Sequence, residues 1–409
     1  MLAIGSIAGM AVGSRAQAET QYTPSVDLAQ RYDSNVYNTA KQFVPGKQSW
    51  DLVTTLGAKV EILNKSRLGD TAVSVGVDGN AYAYNSDLMY AATNVLASSD
   101  VSDWAQELLP GLKLRISDAF RYSPQQPTFT YSSGTPQPGG ATQQTGVFSR
   151  GIQGARSNAY TNNLSTDAGY SFSRTVGLRA YYSYSILHIG RQFVTPAGTS
   201  TAFNFYDTTV HNVAIGPTFT LDGGDTLFLK FNYLSGDQSN TAGTSPRIKF
   251  TSQSIEPEYV AKIVRDWTAT ISGGATVIEQ GGNRAFASGT FSLTNAFDRQ
   301  TRVSIEFSRQ TAPAFIGSGG AVISNVAQLY VSHGFSRVVW LTVRGGYANN
   351  ESAQGQVYSN KTIIGSAVLD YNLTRSTTLS LSQEYNHFNI SGVPSFDRLV
   401  TMLAVRTKW

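Results

Sequence analysis

The chain closes on Leu399-Val400-Thr401-Met402-Leu403-Ala404-Val405-Arg406-Thr407-Lys408-Trp409. Successive side chains of an extended strand point to opposite faces. Leu399, Thr401, Leu403, Val405, Thr407 and Trp409 therefore share one face, and Val400, Met402, Ala404, Arg406 and Lys408 share the other. The first row is the more apolar, and the terminal aromatic residue stands in register with it. The same period of two recurs upstream. Val73, Val75 and Val77 alternate with Ser74, Gly76 and Asp78. Leu112, Leu114 and Ile116 alternate with Lys113, Arg115 and Ser117. Leu227, Leu229, Phe231 and Tyr233 alternate with Phe228, Lys230 and Asn232. Val303, Ile305 and Phe307 alternate with Arg302, Ser304 and Glu306, and Val339, Leu341 and Val343 with Trp340, Thr342 and Arg344. No convincing 3.6-residue apolar period stands beside them, so the chain reads as strands.

Composition narrows what those strands build. Of 409 residues, 14% are charged, against about 25% in an ordinary soluble domain. Mean hydropathy is nevertheless −0.17, so the polarity comes from Ser, Thr, Asn, Gln, Gly and Tyr. Low charge with 11% aromatic residues argues against disorder. The absence of Cys excludes disulfides, zinc thiolates, iron–sulfur clusters and thiol nucleophiles. A net charge of +4 with no basic block does not suggest nucleic acid. After residue 20 no window approaches the ~20 apolar residues that a spanning helix needs. Residues 1–18 read as a secretory signal peptide: 2–12 are apolar or small, and Ala16-Gln17-Ala18 is a small-x-small cleavage pattern. The usual basic start is missing, since the first basic residue is Arg15.

Connections alternate between tight and long. Tight turns centre near Ser66, Gly111, Arg174, Gly223, Arg265, Arg299, Arg337 and Arg375. Phe297-Asp298-Arg299, Phe335-Ser336-Arg337 and Leu373-Thr374-Arg375 repeat every 38 residues (337 − 299 and 375 − 337), as one strand, a long loop, one strand and a turn. Long polar connections are expected near 191–203, 235–247, 315–321, 349–360 and 389–395, and the longest at 123–158. Eight turns join sixteen strands. One more at 25–33 and one at 396–409 make eighteen, with sixteen as the fallback because alternation is poor in 95–108.

These features predict an all-β fold: a transmembrane antiparallel up-and-down β-barrel over 19–409, with both termini in the periplasm. A tilted membrane strand needs ~9–11 residues, and short turns on one side with long loops on the other mark outer-membrane barrels. Closure follows, because an open sheet edge in hydrocarbon leaves N–H and C=O groups unpaired. Trp50, Tyr122, Tyr170, Phe172, Trp267, Phe335 and Tyr385 lie near strand ends and are candidates for interfacial girdles.

Two stretches carry resemblances. The closing strand, with Leu403, Val405 and Trp409 in one row, resembles the C-terminal β-signal read by the outer-membrane assembly machinery. The segment Arg31-Tyr32-Asp33-Ser34-Asn35-Val36-Tyr37 resembles the opening of the second putative β-barrel porin family. Hairpins with Arg turns and a long internal loop are similar in layout. The resemblance implies an outer-membrane pore associated with exopolysaccharide export and working with periplasmic export proteins.

No catalytic constellation is evident. His188, His211, His333 and His387 lack ligand spacing, and no nucleophile elbow, phosphate loop or zinc-protease motif occurs. An enzyme is not expected, nor a metal or other cofactor. Gly273-Gly274 inside a strand reads as room for close packing. The polar rows, taken as inward, supply basic candidates Lys59, Lys113, Arg115, Arg121, Arg179, Lys230, Lys262, Arg302, Arg344, Arg406 and Lys408. They supply acidic candidates Asp27, Asp33, Glu61, Asp78, Asp167, Glu256, Glu258, Glu306, Asp370 and Glu384. This near-balance predicts no strong ion selectivity. Tyr82, Tyr84 and Tyr181 join the same rows and suit either sugar stacking or wall filling. Two cargoes stay open, an exopolysaccharide or small polar solutes diffusing freely. The expected partners are the lipid bilayer and that cargo.

Overall fold

A computed structural model describes residues 19–40, 46–125, 156–192, 205–241, 246–264, 266–296, 300–314, 319–353, 359–391 and 394–409. The proposed signal peptide and most of 123–158 lie outside these residues. The strands are β1 (Glu19–Asp33), β2 (Asp51–Ser66), β3 (Gly69–Tyr82), β4 (Tyr90–Asp100), β5 (Leu112–Gln125), β6 (Arg156–Ser171), β7 (Val176–Gln192), β8 (Tyr206–Thr220) and β9 (Thr226–Asn240). They continue as β10 (Ile248–Val264), β11 (Trp267–Glu279), β12 (Asn283–Ala296), β13 (Thr301–Pro313), β14 (Ala321–Gly334), β15 (Val339–Ser352), β16 (Ser359–Asn372), β17 (Thr377–Ile390) and β18 (Phe396–Lys408).

All form one 18-stranded sheet in which each strand pairs with its sequence neighbours and β1 also pairs with β18. Every pairing is antiparallel, and Asp27↔Arg406 and Tyr32↔Thr401 lie at the closing seam. Closure leaves no edge, so the strand backbone groups are satisfied within the barrel. Asp33, the last residue of β1, and Phe396, the first of β18, stand where the sequence expects those strands to end and begin.

The side-chain rows follow the pleat. Leu28, Leu56, Ile255, Ile271, Phe307, Leu381 and Leu403 are exposed and make up the outward, lipid-facing wall. Aromatic residues edge this wall. Tyr170 meets Phe172 edge-on with ring centroids 4.9 Å apart near the turn end. Trp50 lies 6.1 Å from Tyr32 at the loop end. Trp409, at the turn end, donates its N–H to the carbonyl of Pro24 on β1 at 3.0 Å.

Two connections depart from the expected alternation. The segment expected as a weak strand in 95–108 divides: β4 ends at Asp100, and Ser102–Leu108 forms a short helix, α1. The Asp100 carboxylate accepts the Ser102 N–H at 3.1 Å, and the Trp104 N–H bonds the Leu68 carbonyl at 3.3 Å in the adjacent turn. Seven residues span barely two helical turns, too few to build a legible period. The turn near Gly111 is therefore a helix-bearing connection. At the opposite end, β11 and β12 are joined by residues 280–282 alone, so the wall is low there.

Candidate functional site

Directly paired residues share a face, so the register can be followed around the whole circle. Starting from Asp27, it passes through Gly57 and Asp78 and returns through Thr378 and Arg406 to the inward side. Lys113, Arg115 and Arg121 stand on this inward row of β5, and Arg179 and Tyr181 on that of β7. Lys230, Glu258, Arg302, Glu306, Arg344, Asp370, Glu384 and Arg406 follow on their strands. Among the described residues no group of His, Asp and Glu is arranged to hold a metal ion.

The register brings many of these charges together as ion pairs. Arg115 reaches Asp100 at 2.6 Å, Arg179 reaches Asp167 at 2.6 Å, and Arg406 reaches Asp27 at 2.5 Å. Lys230 lies 3.4 Å from Glu256 and 3.2 Å from Glu258. Glu256 also accepts the Ser288 hydroxyl at 2.6 Å, and Ser288 accepts that of Thr276 at 2.7 Å. Gly274 makes this reach possible. A Cβ there would lie 1.9 Å from the Ile255 carbonyl oxygen and 3.0 Å from Glu256 Cγ. Paired charges cancel at short range, so the field along the bore is weaker than the inward charges suggest. Between the pairs the wall presents hydroxyls and amides such as Asn232, bonded to Ser254 at 2.9 Å.

The loop end of the lumen is occupied by a hairpin that pattern reading missed. Pairing of β13 with β12 stops at Gly289↔Arg309, whereas pairing with β14 continues to Pro313↔Ala321. Beyond Arg309, β13 parts from β12 while β14 stays paired with β15 as far as Val322↔Ser352, and the end of the hairpin bends over the interior. Thr311 meets Ser252 of β10 at 2.8 Å, hydroxyl to hydroxyl. Gln238 of β9 donates to the Ala314 carbonyl at 2.8 Å and accepts the Gly320 N–H. Gln280, from the low β11–β12 connection, accepts the Ala321 N–H at 2.7 Å. Arg309 lies over the inward ring of Phe286, 5.6 Å from its centroid. Ala321 and Ile323 pack on Leu187, Val210, Leu234, Phe250 and Ile278 from the facing wall. Gly320 has φ +82°, and a Cβ on it would sit 1.8 Å from Gln280 Nε2, so only glycine fits this contact. One signal was present in the sequence. Ala321-Val322-Ile323 is a continuous apolar run that breaks the period of two, as expected of a strand buried on both faces.

The Tyr-Asp-x-Asn-aliphatic-Tyr segment builds the loop-end seam. Asp33 holds the Arg398 guanidinium through Nε at 3.0 Å and Nη2 at 2.7 Å. Ser34 and Leu399 exchange bonds, with Ser34 N–H on the Leu399 carbonyl at 2.9 Å and Leu399 N–H on Ser34 Oγ at 2.7 Å. Asn35 donates to the carbonyls of Thr39 at 2.9 Å and Asp397 at 3.2 Å. Tyr37 donates to Asn85 at 3.0 Å, whose backbone and side-chain nitrogens both bond Asp51 at 2.8 Å. Arg31 stands on the inward row opposite Met402, and Tyr32 on the outward row.

This loop covers Tyr82, which points inward but is buried with Val36, Tyr37, Val53 and Leu88. Tyr84 lies past the end of β3, packed edge-on against Trp50 at 4.9 Å. It belongs with the loop-end aromatics around Tyr32 instead of the bore, because the chain turns after Tyr82 to let Asp51 accept the N–H groups of Ala83 and Tyr84 at 2.9 and 3.1 Å. Of the three tyrosines only Tyr181 stands on the inward wall outside this cluster. Leu403 and Val405 share the outward face of β18, and Trp409 is exposed just past its end.

A closed barrel of eighteen antiparallel strands, apolar outside and polar within, is an outer-membrane β-barrel of the porin type. Its closing 120 residues (409 − 290 + 1), 290–409, match the family described as putative beta-barrel porin 2. Similar solved structures include OpdK, an outer-membrane protein of Pseudomonas aeruginosa, at 10% identity and a TM-score of 0.46, covering 95% of this chain and 99% of that one. OpdQ of the same organism aligns at 8% identity and a TM-score of 0.45, covering 95% and 97%. OccAB3 of Acinetobacter baumannii aligns at 9% identity and a TM-score of 0.44, covering 96% and 99%. No protein with a curated description matches the chain.

Proposed function

We propose that this barrel is a passive pore for hydroxyl-rich solutes and that its cargo is an exopolysaccharide leaving the cell. The observation that carries the reading is the internal pairing of the lumen charges. Arg179 with Asp167 and Arg406 with Asp27 neutralise one another, and Lys230 partly offsets Glu256 and Glu258. Between these pairs a solute meets hydroxyls and amides, which exchange hydrogen bonds with a polyol and replace its hydration. The match of residues 290–409 to the porin family supports a pore, and the opening motif supports the polysaccharide. Driving force comes from a gradient or from periplasmic export proteins. Deletion of the gene is expected to trap polymer in the periplasm and strip it from the surface. Normal surface polysaccharide in the deletion strain rules this cargo out.

One observation favours the other cargo. The inward β13–β14 hairpin narrows the loop end, which suits small polar solutes better than a polymer. Liposomes carrying the barrel then swell in small sugars, and their swelling rate falls steeply with sugar size. Liposomes that stay impermeable to small sugars exclude this reading.

A further inference from the structure

The inward row of β15 carries an indole at its turn end. Trp340 stands opposite Gly334 of β14 and Asp370 of β16 on this row, and it is half-buried. A Cβ on Gly334 would lie 3.0 Å from Trp340 Cη2, 3.0 Å from Cζ2 and 3.1 Å from Cε2. Near-equal distances to three consecutive ring atoms put Gly334 beneath the face of the indole. One face of the ring therefore lies flat on the wall, and the other is turned to the bore. Glycine supplies the room, since a side chain at 334 would lift the ring from the wall.

Trp340 lines a recess of about 270 Å³ together with Asp370, Thr378, Ser380, Arg406 and Lys408. Register brings these side chains together, with Asp370 opposite Ser380 and Thr378 opposite Arg406. The Ser380 hydroxyl donates to Asp370 Oδ1 at 2.5 Å, which orients the carboxylate and leaves its second oxygen for another donor. Arg406 is held by Asp27, whereas neither Asp370 nor Lys408 forms an ion pair with a described residue. An aromatic face beside an acceptor and an ammonium donor matches a pyranose ring. The axial C–H groups of such a ring, slightly positive, lie on the negative face of an aromatic system, while its hydroxyls reach the polar rim. An aromatic platform with a few convergent polar groups is the usual composition of a small-molecule site. An inorganic ion would have no use for the indole, and an apolar solute none for Asp370 and Lys408.

We infer that Trp340 is the stacking platform of a saccharide subsite at the turn end of the lumen, with Asp370 and Lys408 bonding the hydroxyls of the stacked pyranose. The inference rests on the reading of the barrel as a pore for hydroxyl-rich solutes and adds where a sugar pauses on its way. Turns mark the periplasmic side of an outer-membrane barrel, so the subsite stands where a polymer leaving the cell would enter.

Planar-bilayer recordings of the whole barrel with cellohexaose or maltohexaose in the bath read the subsite. Transient current interruptions are expected in wild type. Trp340→Ala should shorten them about tenfold, corresponding to roughly 1.4 kcal/mol of lost stacking, and Trp340→Phe, which keeps an aromatic face, should shorten them less. Open-channel conductance without sugar reports that each variant has folded. Tryptophan emission of the detergent-folded barrel gives a second readout that needs no open pore. Cellohexaose should quench or shift it in wild type and leave it unchanged in Trp340→Phe. Interruptions of equal length in wild type and Trp340→Ala overturn the inference, as does an emission change that survives in Trp340→Phe, or a wild type that responds to neither sugar. The cargo fails separately. Normal surface polysaccharide in the deletion strain removes the exopolysaccharide and leaves a Trp340-dependent interruption standing. Polymer trapped in the deletion strain, with interruptions that ignore Trp340→Ala, removes the subsite alone.

Discussion

Asp33 and Arg398 are 365 residues apart in sequence and meet as a two-pronged ion pair across the seam between the first and last strands. Both side chains are almost fully buried, at 1% and 7% exposure. The pair therefore locks the last closure the barrel makes, the one between its ends. Removing one partner leaves the other charged and unpaired, at a cost of about 3–5 kcal/mol. Arg398→Leu should accordingly lower the urea midpoint of the detergent-folded barrel, and Asp33→Leu/Arg398→Leu should recover much of the loss. An unchanged midpoint in Arg398→Leu would show that the seam does not depend on the pair.

The inward hairpin is held largely by two glutamines from the facing wall. Gln238→Ala and Gln280→Ala together remove the bonds to Ala314, Gly320 and Ala321, leaving buried backbone groups unsatisfied at about 1–3 kcal/mol each. The hairpin should then leave the lumen part of the time. Planar-bilayer recordings are expected to show larger or noisier single-channel conductance than wild type. A quiet, unaltered conductance would mean that apolar packing of Ile323 alone holds the hairpin.

Lys230 offsets two carboxylates on the inner wall. Lys230→Met leaves Glu256 and Glu258 without their cation. Reversal potentials under a KCl gradient should move toward cation selectivity, while wild type stays near zero. The shift should shrink at high salt, where screening lengths fall to about 3 Å at 1 M. No shift at low salt would place these groups away from the ion path.

At a turn between β8 and β9, Asp225 accepts the Tyr259 hydroxyl at 2.5 Å and the Lys262 N–H at 3.0 Å. These bonds hold its carboxyl below the ordinary range. A lowered folded-state value gives stability that is present above the unfolded value, near ~3.9, and lost as pH falls through the folded one. Hydrogen exchange at Lys262 should therefore quicken in acid, after correction for intrinsic rates. In Asp225→Asn that acid dependence should disappear.

Pattern and spacing made most of the barrel legible. Alternation named the strands, because a two-sided environment demands it of each strand separately: Leu229 outward, Lys230 inward. Arg turns marked the ends of hairpins, because tight connections are local. The charge list became legible as a wall, but not as pairs. Whether Lys230 meets Glu256 depends on the register of two strands whose alternation is the same at any even offset. Gly274, read as room for close packing, proved to be the gap that Glu256 crosses.

Sequence alone thus determined that this chain makes a closed antiparallel barrel with an apolar exterior, since period, turn chemistry and the unpaired-edge penalty act strand by strand. Tertiary structure decided the rest. It placed the Asp33 segment as a seam lock, Tyr84 against Trp50 and the end of the β13–β14 hairpin over the lumen. Each depends on contacts between residues far apart in the chain, and those distances exist only once the circle has closed.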